Sequence, residues 1–250
     1  MDDLIRRTAV SLASARQVVV LTGAGVSKES GIPTFREAQE GLWARHDPQR
    51  LATMQGFRAN PQLVWEWYQY RLSLINQCQV NPGHRAIAEL EQFLSRVVVI
   101  TQNIDGLHAE AGSSDILELH GNIRRFKCLR GHRGWSQQDL AGQDVVPPRC
   151  PKPTCDAMVR PDVIWFGEML DQATIGRAMI ESEACNAMLI VGTSGVVQPA
   201  ASLPYYARQA GARIIEVNPT QSGLTALVDI YLPGPAGEIL PRIVAALRRD

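Results

Sequence analysis

The chain has 250 residues, of which 45% are hydrophobic and 20% charged, and its 25 basic and 25 acidic side chains give no formal net charge. Balanced charge gives no support to a broad surface for nucleic acid or an anionic membrane, and no apolar run approaches the roughly 20 residues that span a bilayer. The charged start, MDDLIRRTAVSLASARQ, lacks the long apolar segment of a secretory signal. We therefore expect a cytoplasmic protein without stable nucleic-acid or membrane partners, and nothing in the composition requires more than a monomer.

Short segments rich in valine and isoleucine alternate with helical patterns along the chain. The short segments are typical of strands buried on both faces, and they lie at 17–23, 97–101, 116–119, 187–193 and 213–217. The helical patterns lie at 61–76, 84–96, 200–210 and 235–249. This alternation predicts a doubly wound α/β fold, in which helices cover both faces of a parallel sheet.

Two stretches interrupt the alternation. Residues 124–160 are rich in cysteine, proline, glycine and arginine and lack long apolar runs, which predicts a small inserted module held together by a metal. Residues 34–80 form a second excursion, part loop and part helix, before the sheet resumes.

A glycine-rich turn, 23-GAGVSKESGIPTFR-36, directly follows the first predicted strand. Gly23 and Gly25 let the backbone approach a phosphate, and a helix that begins here attracts the anion. Because Gly31 comes too late for a complete dinucleotide fingerprint, a tight turn without a ligand stays open as the alternative. Ser27 can cap the helix or bind phosphate. An aromatic ring and a cation follow in the same loop, at Phe35 and Arg36.

Polar side chains also follow the second predicted strand. Ligands of doubly wound sheets bind at the carboxyl ends of the strands, and this is where Gln102, Asn103 and Asp105 fall. His120 ends the next strand beside a glycine, a position that makes it a candidate general base. We interpret the other histidines of apolar or loop segments as structural or surface residues: His46, His84 and His108.

The cysteines fall into two groups. Cys78 and Cys185 are isolated in apolar-periodic segments, which predicts small buried side chains. Cys128, Cys150 and Cys155 are clustered, and in a reducing compartment a metal site explains them better than a disulfide does.

Several long motifs occur in a fixed order: GAGVSKESGIPTFR, TQNIDGLH, LHGN, the cysteine module, 160-RPDVIWFGE-168 and GTS at 192–194. In these motifs the chain resembles the sirtuin family, the NAD-consuming protein lysine deacylases. Two segments, 63-LVWEWYQYR-71 and 149-RCPKPTC-155, look specifically like the class III branch, whose members remove acidic acyl groups.

The resemblance implies a Rossmann-type large domain, at about 1–34, 81–123 and 161–250. A smaller domain would consist of a helical module at about 35–80 and a zinc-binding module at about 124–160. NAD and an acyl-lysine protein or peptide would bind in the cleft between the two domains.

The resemblance also implies a reaction. The acyl oxygen attacks C1′ of the nicotinamide ribose and nicotinamide leaves. His120 then deprotonates a ribose hydroxyl, with Asn103 beside it, and water finally releases lysine and an O-acyl-ADP-ribose. Such chemistry needs a preorganised, water-poor site more than a strong nucleophile.

The motifs carry family roles onto individual residues of this chain. Positions matching NAD contacts are Gly23, Ala24, Gly25, Ser27, Thr34, Phe35, Arg36, Gln102, Asn103, Ile104, Asp105, Gly192, Thr193, Ser194, Asn218 and Ala236. Positions matching substrate contacts are Gly56, Tyr68, Arg71, Val163, Ile164, Trp165 and Phe166.

The metal ligands depart from the family pattern. A tetrahedral zinc site needs four nitrogen or sulfur ligands, but Gly131 stands where a second cysteine would follow Cys128. His132 is one residue further on and can complete a site with Cys128, Cys150 and Cys155. A three-ligand site or a metal-free module stays open.

Tyr68 and Arg71 are three residues apart and share one face of the predicted helix. They match the class III pair that binds a carboxylate on the acyl group, which predicts a preference for succinyl, malonyl or glutaryl over acetyl. Gly56 would leave room for the longer chain. The alternative is a core stripe of Trp65, Tyr68 and Leu72, with Arg71 extending into solvent.

Other functions stay open at this point. The same pocket could serve a general deacetylase, an NAD hydrolase or an ADP-ribosyltransferase. A nucleic-acid-binding zinc ribbon is the non-enzymatic alternative, because basic residues are frequent in the cysteine module: Arg124, Arg125, Lys127, Arg130 and Arg133.

Overall fold

A computed structural model describes residues 1–33 and 51–248 of the chain. Four residues considered above, Thr34, Phe35, Arg36 and His46, therefore lie outside the described residues. Within the described ranges, no helix is long and apolar enough to cross a membrane.

The strands of the described residues form two separate sheets. In chain order they are β1 (Val18–Thr22), β2 (Val97–Thr101), β3 (Ile116–Glu118), β4 (Gly121–Cys128), β5 (Arg133–Trp135), β6 (Val159–Val163), β7 (Ala187–Val191), β8 (Arg213–Asn218) and β9 (Ile230–Pro233). Six of them pair in parallel in the order β3-β2-β1-β7-β8-β9. The order reverses between β1 and β7, and such a reversal creates the ligand crevice of a doubly wound sheet.

The helices follow the same chain order. They are α1 (Asp2–Ala13), α2 (Gly25–Lys28), α3 (Met54–Ala59), α4 (Pro61–Gln77), α5 (Pro82–Leu90), α6 (Leu107–Glu110), α7 (Gln172–Ala184), α8 (Leu203–Gln209) and α9 (Ala236–Leu247). Short 3₁₀ turns lie at Gln138–Leu140, Ala200–Ser202 and Thr225–Leu227.

Helix α4 agrees with its sequence pattern, and α5 is shorter than predicted. Asn60 caps α4 by accepting a hydrogen bond from the Leu63 amide, and Pro61 occupies its first turn. The pattern at 84–96 overran the end of α5 at Leu90. Leu94 packs into the core from an irregular turn beyond the end of the helix. Its apolar side chain therefore made the helical pattern in the sequence longer than the helix itself.

Both faces of the large sheet are buried, as the valine-rich segments predict. Along β1, Val18 and Val20 pack into one hydrophobic core, whereas Val19 and Leu21 pack into the other. Side chains of a strand alternate between faces, so the sheet separates two cores and is covered on each side. The doubly wound fold is therefore confirmed.

The second sheet belongs to the cysteine-rich part of the chain. It has three antiparallel strands in the order β5-β4-β6. Its hydrophobic core is shared with α3 and α4, and the rings of Trp65 and Phe126 lie 5.4 Å apart in that core. The helical and cysteine-rich segments thus pack as one smaller unit. The predicted domain limits at 123/124 and 160/161 fall inside β4 and β6.

Candidate active site

The glycine-rich turn after β1 packs directly against the GTS turn after β7. The Gly25 amide donates to the Gly192 carbonyl over 2.8 Å, and a Cβ at Gly25 would lie 2.7 Å from the Gly192 Cα. Gly192 has a φ of +59°, and a Cβ there would lie 2.5 Å from the Val26 nitrogen. Side chains cannot fit between these backbones, so the close approach requires both glycines.

Ser27, in the one-turn helix α2, is the centre of a buried hydrogen-bond network. Its hydroxyl donates to Asp105 Oδ2 over 2.8 Å and accepts from Asn103 Nδ2 over 3.0 Å. His84 Nε2 lies 3.3 Å from the same oxygen. Because His84 Nδ1 accepts from the Asn81 amide, Nε2 carries the hydrogen and donates to Ser27. One serine therefore joins side chains from two other segments of the chain.

Asp105 is held by hydrogen bonds in an almost fully buried position. Its Oδ1 accepts from the Leu107 amide over 2.9 Å, and its Oδ2 accepts from Ser27. Burial raises the pKa of this carboxyl, while the hydrogen bonds from Leu107 and Ser27 act in the opposite direction. The result is a fixed hydrogen-bond acceptor at the bottom of the crevice.

His120 lies at the junction of the two sheets. Its Nδ1 is 2.9 Å from the Gln102 carbonyl; a carbonyl only accepts, so Nδ1 carries the hydrogen and Nε2 presents a lone pair. Burial lowers the pKa of His120, although the Gln102 hydrogen bond opposes the shift. A neutral imidazole with an available lone pair is the form that acts as a general base.

The residue after His120 must be glycine. Gly121 has a φ of +76°, and a Cβ there would lie 2.1 Å from the Asp162 carbonyl oxygen. The His120 carbonyl accepts from the Ile164 amide over 2.9 Å, which extends the pairing of β4 with β6. The histidine is therefore fixed to the strand segment that was predicted to bind substrate.

The other predicted NAD positions within the described residues gather at the carboxyl ends of β1, β2, β7 and β8. Gln102 Nε2 donates to Thr193 Oγ1 over 3.0 Å, and Asn218 Nδ2 donates to the Thr193 carbonyl over 2.9 Å. Ser194 is exposed, whereas Ala236 is buried at the start of α9. Hydrogen bonds thus bring side chains from distant sequence segments together, and Ala24 and Ile104 are both partly buried.

The cysteine cluster has the geometry of a metal centre. The ligand atoms of Cys128, His132, Cys150 and Cys155 all lie within 4.8 Å of one another. Zn–S bonds of about 2.3 Å and Zn–N bonds of about 2.0–2.1 Å place neighbouring ligand atoms of a tetrahedron roughly 3.5–3.8 Å apart. His132 Nδ1 lies 3.5 Å from the Sγ atoms of both Cys128 and Cys150, and those of Cys128 and Cys155 are 4.0 Å apart.

A tight turn explains how the irregular spacing reaches one point. The Cys128 amide donates to the His132 carbonyl, and Gly131 adopts a φ of +85° between them. Glycine takes this conformation without a steric cost. The turn brings the imidazole back towards the thiol, so this donor set fits a structural zinc ion.

Tyr68 and Arg71 lie on the side of α4 that faces the small core. Tyr68 is 2% exposed, and its hydroxyl accepts from Trp165 Nε1 over 2.9 Å. The Arg71 guanidinium carbon lies 4.9 Å from the Trp67 ring centroid and 5.6 Å from that of Tyr68. Burial lowers the pKa of Arg71 and raises that of Tyr68.

The structure combines features of the two interpretations of this helix, the carboxylate-binding pair and the packed core stripe. Trp65, Tyr68 and Leu72 are buried in the small core, as the packing alternative predicted. Arg71, however, is only partly exposed and lies over aromatic rings instead of extending into solvent. Gly56 is near the start of α3, where its amide donates to Thr53 Oγ1.

The predicted substrate segment alternates in burial. Val163 and Trp165 are buried, Ile164 is partly buried and Phe166 is 50% exposed. Beyond β6 the chain pairs with the helical module, because the Phe166 amide donates to the Ala52 carbonyl over 2.8 Å.

Sequence reasoning gave no site role to His84, and it gave none to Arg160 and Glu168, which form an ion pair beside Trp165. His84 was interpreted as a structural or surface residue, yet it contacts Ser27. The signal available for Arg160 and Glu168 was their place at the two ends of the quoted motif RPDVIWFGE.

Comparisons with known proteins agree with this geometry. Residues 23–199 match the family described as "SIR2: Sir2 family". An NAD-dependent protein deacylase of Pyrococcus abyssi (strain GE5 / Orsay) is 44% identical over 248 residues, 98% of this chain and 99% of the relative. One of Ralstonia nicotianae (strain ATCC BAA-1114 / GMI1000) is 48% identical over 94% of this chain and 93% of the relative.

Two solved structures are also similar. A Sir2 homolog–NAD complex has a TM-score of 0.89 and 42% identity over 97% of this chain and 93% of that chain. Sir2Af2 bound to a myristoylated histone peptide has a TM-score of 0.79 and 37% identity over 100% of this chain and 98% of that chain.

By these matches the chain belongs to the Sir2 family. It is an NAD-dependent protein deacylase, with NAD as its co-substrate and zinc as its metal.

Proposed function

We propose that this deacylase removes succinyl, malonyl or glutaryl groups from lysine in preference to acetyl groups, with Tyr68 and Arg71 binding the acyl carboxylate. The observation that carries the proposal is a guanidinium held over the Trp67 and Tyr68 rings, three residues from a buried phenol. A cation held among aromatic side chains favours an anionic ligand.

The size of the preference follows from the contacts that an acetyl group cannot make. An arginine fork and a phenol together give a carboxylate three donors. An acetyl group forfeits these hydrogen bonds, and a hydrogen bond to a charged group is worth about 1.5–3 kcal/mol, roughly ten- to two-hundredfold in the ratio of kcat/KM. We therefore expect at least a tenfold preference for an acidic acyl group.

A long apolar acyl chain is the second candidate. The relative Sir2Af2 has been solved with a myristoylated histone peptide, and Phe57 and Trp165 offer apolar ring surface in this chain, with centroids 5.3 Å apart. A general deacetylase is the third, and it would leave Arg71 without effect on the choice of acyl group.

We assign the proton transfer to His120. NAD supplies the ribose carbon that accepts the acyl oxygen while nicotinamide leaves. His120 Nε2 is positioned to take a ribose proton, because Nδ1 is occupied by the Gln102 carbonyl. We assign a supporting role in this step to Asn103, which is held by its hydrogen bond to Ser27, and Asp105 offers the fixed carboxylate that suits the nicotinamide amide.

We also propose that His132 is the fourth zinc ligand and that the chain divides into the two predicted domains, with the whole of β4 and β6 in the smaller one. The 3.5 Å spacings of His132 Nδ1 from two thiols support the first proposal. The two sheets and their separate cores support the second. Three cysteines that ligate a metal stay reduced in the cytoplasm, which supports our expectation of a cytoplasmic enzyme; a monomer stays a prediction.

The nucleic-acid alternative has weak support. Three residues of its basic run have acidic partners: Arg124 with Glu110, Arg125 with Glu118, and Lys127 with Asp162. Paired side chains offer phosphates less net charge than the sequence suggests.

The test compares one lysine peptide carrying acetyl, succinyl, glutaryl or myristoyl groups, with NAD in excess. Mass spectrometry follows the deacylated peptide for the wild type and Arg71→Met. We expect succinyl or glutaryl removal to exceed acetyl removal at least tenfold, and Arg71→Met to abolish the difference. Lys152→Met, an exposed cation in the zinc module, is the control.

Two results would overturn the proposal. Equal or faster acetyl removal that is indifferent to Arg71 would leave a general deacetylase. Fastest removal of the myristoyl group would favour the long-chain alternative.

A further inference from the structure

A partly buried ion pair lies beneath the segment that follows β6. Arg160 is 2% exposed, and its Nη1 and Nη2 donate to Glu168 over 2.5 and 2.8 Å. Nη2 also donates to the Val163 carbonyl over 2.6 Å. An arginine held by two parallel bonds has a defined orientation, so this guanidinium plane is fixed relative to β6.

The ion pair fixes Trp165 in two ways. Glu168 Oε2 accepts from the Trp165 amide over 2.8 Å, which closes the turn. The Arg160 guanidinium carbon lies 3.3 Å from the Trp165 ring centroid, a stacked arrangement. Both the backbone and the ring plane of Trp165 are thereby set, and the indole N–H points in one direction.

That direction leads to the proposed acyl pocket. Trp165 Nε1 donates to the Tyr68 hydroxyl over 2.9 Å, and neither side chain is more than 2% exposed. A phenol has one proton to donate and two lone pairs. Because the indole occupies a lone pair, the phenolic proton has to point elsewhere. Among residues 1–33 and 51–248, Tyr68 has no acceptor for that proton.

We propose that Arg160, Glu168 and Trp165 are positioning residues that orient the Tyr68 hydroxyl as a donor towards the carboxylate of the acyl chain. The inference rests on the proposed preference for acidic acyl groups and deepens it. Selectivity then depends on an indole N–H and on an ion pair beneath it, and not only on the two residues that contact the carboxylate.

The test measures kcat and KM for succinyl and acetyl peptides in four forms of the enzyme: wild type, Trp165→Phe, Tyr68→Phe and the double variant. Trp165→Phe keeps an aromatic ring beside Arg160 but removes the N–H. We expect the succinyl-to-acetyl ratio of kcat/KM to fall about tenfold in each single variant, mainly through KM for the succinyl peptide.

Coupling separates positioning from general damage. If the indole acts through the phenol, the double variant loses no more selectivity than either single variant does. Independent losses that multiply would overturn the inference. Trp135→Phe, a partly buried tryptophan in β5, is the matched control and should keep the wild-type ratio.

Failure of the inference and failure of the proposed function look different. If the wild type shows the acidic preference, and Arg71→Met abolishes it, but Trp165→Phe keeps it within twofold, the inference alone is wrong. If the wild type shows no acidic preference, both are wrong. Should Trp165→Phe not fold, benzothienylalanine at position 165 replaces the N–H by sulfur at constant ring size and is measured instead.

Discussion

At the scale of single residues, two buried histidines, His84 and His108, are kept neutral beside the side chains that they contact. The rings of His84 and His108 meet edge to face with centroids 5.0 Å apart. Burial lowers the pKa of His84 to about 4 and that of His108 to about 3, where the neighbouring His84 also contributes. Both are therefore neutral near pH 7 and contact Ser27 and Thr22 as neutral partners.

These pKa values predict how the free energy of unfolding depends on pH. In the unfolded chain each histidine takes up a proton near pH 6.5, whereas the folded chain resists protonation down to about pH 4. The stabilising contribution is thus complete above pH 6.5 and falls with decreasing pH, by about 1.4 kcal/mol per pH unit for each histidine.

We expect His108→Gln to lose one of these contributions. Urea unfolding at pH 7, 6 and 5, with zinc in excess, should give a slope shallower than that of the wild type by about 1.4 kcal/mol per pH unit below 6.5. Ser113→Ala, whose amide bonds to the His108 carbonyl, should keep the wild-type slope. Parallel curves for wild type and His108→Gln would show that His108 does not resist protonation.

The sequence located most site residues but not the contacts between them. It placed Gly23 and Gly25 near a phosphate and Gly192 among the NAD contacts, whereas the structure shows that backbone packing alone already requires Gly25 and Gly192. It gave His84 no site role, because nothing in the local sequence shows that His84 meets Ser27 across 57 positions of the chain.

At the scale of elements, the short turn between Cys128 and His132 decides whether the small sheet has a complete metal site. The turn joins β4 to β5 and places the imidazole near two thiols. Structural zinc contributes directly to folding, so the small sheet should depend on the fourth ligand.

We expect the wild type to contain one zinc ion per chain by elemental analysis. His132→Ala should lose the ion to a chelator about ten- to hundredfold faster and melt at a lower temperature, whereas His132→Cys should retain it. Arg133→Ala, an exposed neighbour, is the control. An unchanged rate of zinc loss in His132→Ala would mean that three cysteines and another ligand hold the metal.

The elements that are buried along their whole length were the easiest to predict from the sequence. Strands β1, β2 and β7 are buried at every residue, which gives continuous apolar segments. Helix α7 was not predicted, because its fully buried residues are only Ala178, Glu181 and Ser182, which produce no apolar stripe. Helix α1 was not predicted either, although Ile5, Ala9 and Leu12 lie on one buried face.

At the scale of the whole molecule, the proposed reaction site lies where the two sheets meet. His120 lies between β3 of the large sheet and β4 of the small one, and its carbonyl pairs with Ile164 just after β6. The NAD positions lie at the carboxyl edge of the large sheet, and Tyr68, Arg71 and Trp165 belong to the small unit. We therefore expect NAD and acyl-lysine to approach His120 from different units.

We expect this arrangement to make cleavage of NAD depend on the acyl-lysine substrate. The most direct measurement is nicotinamide release from NAD by the zinc-loaded enzyme, with a succinyl-lysine peptide, with the same peptide unmodified, and without peptide. We predict nicotinamide and deacylated peptide in equal amounts in the first reaction only, and neither product from His120→Ala. Equal nicotinamide release in all three reactions would contradict the account and identify an NAD hydrolase instead.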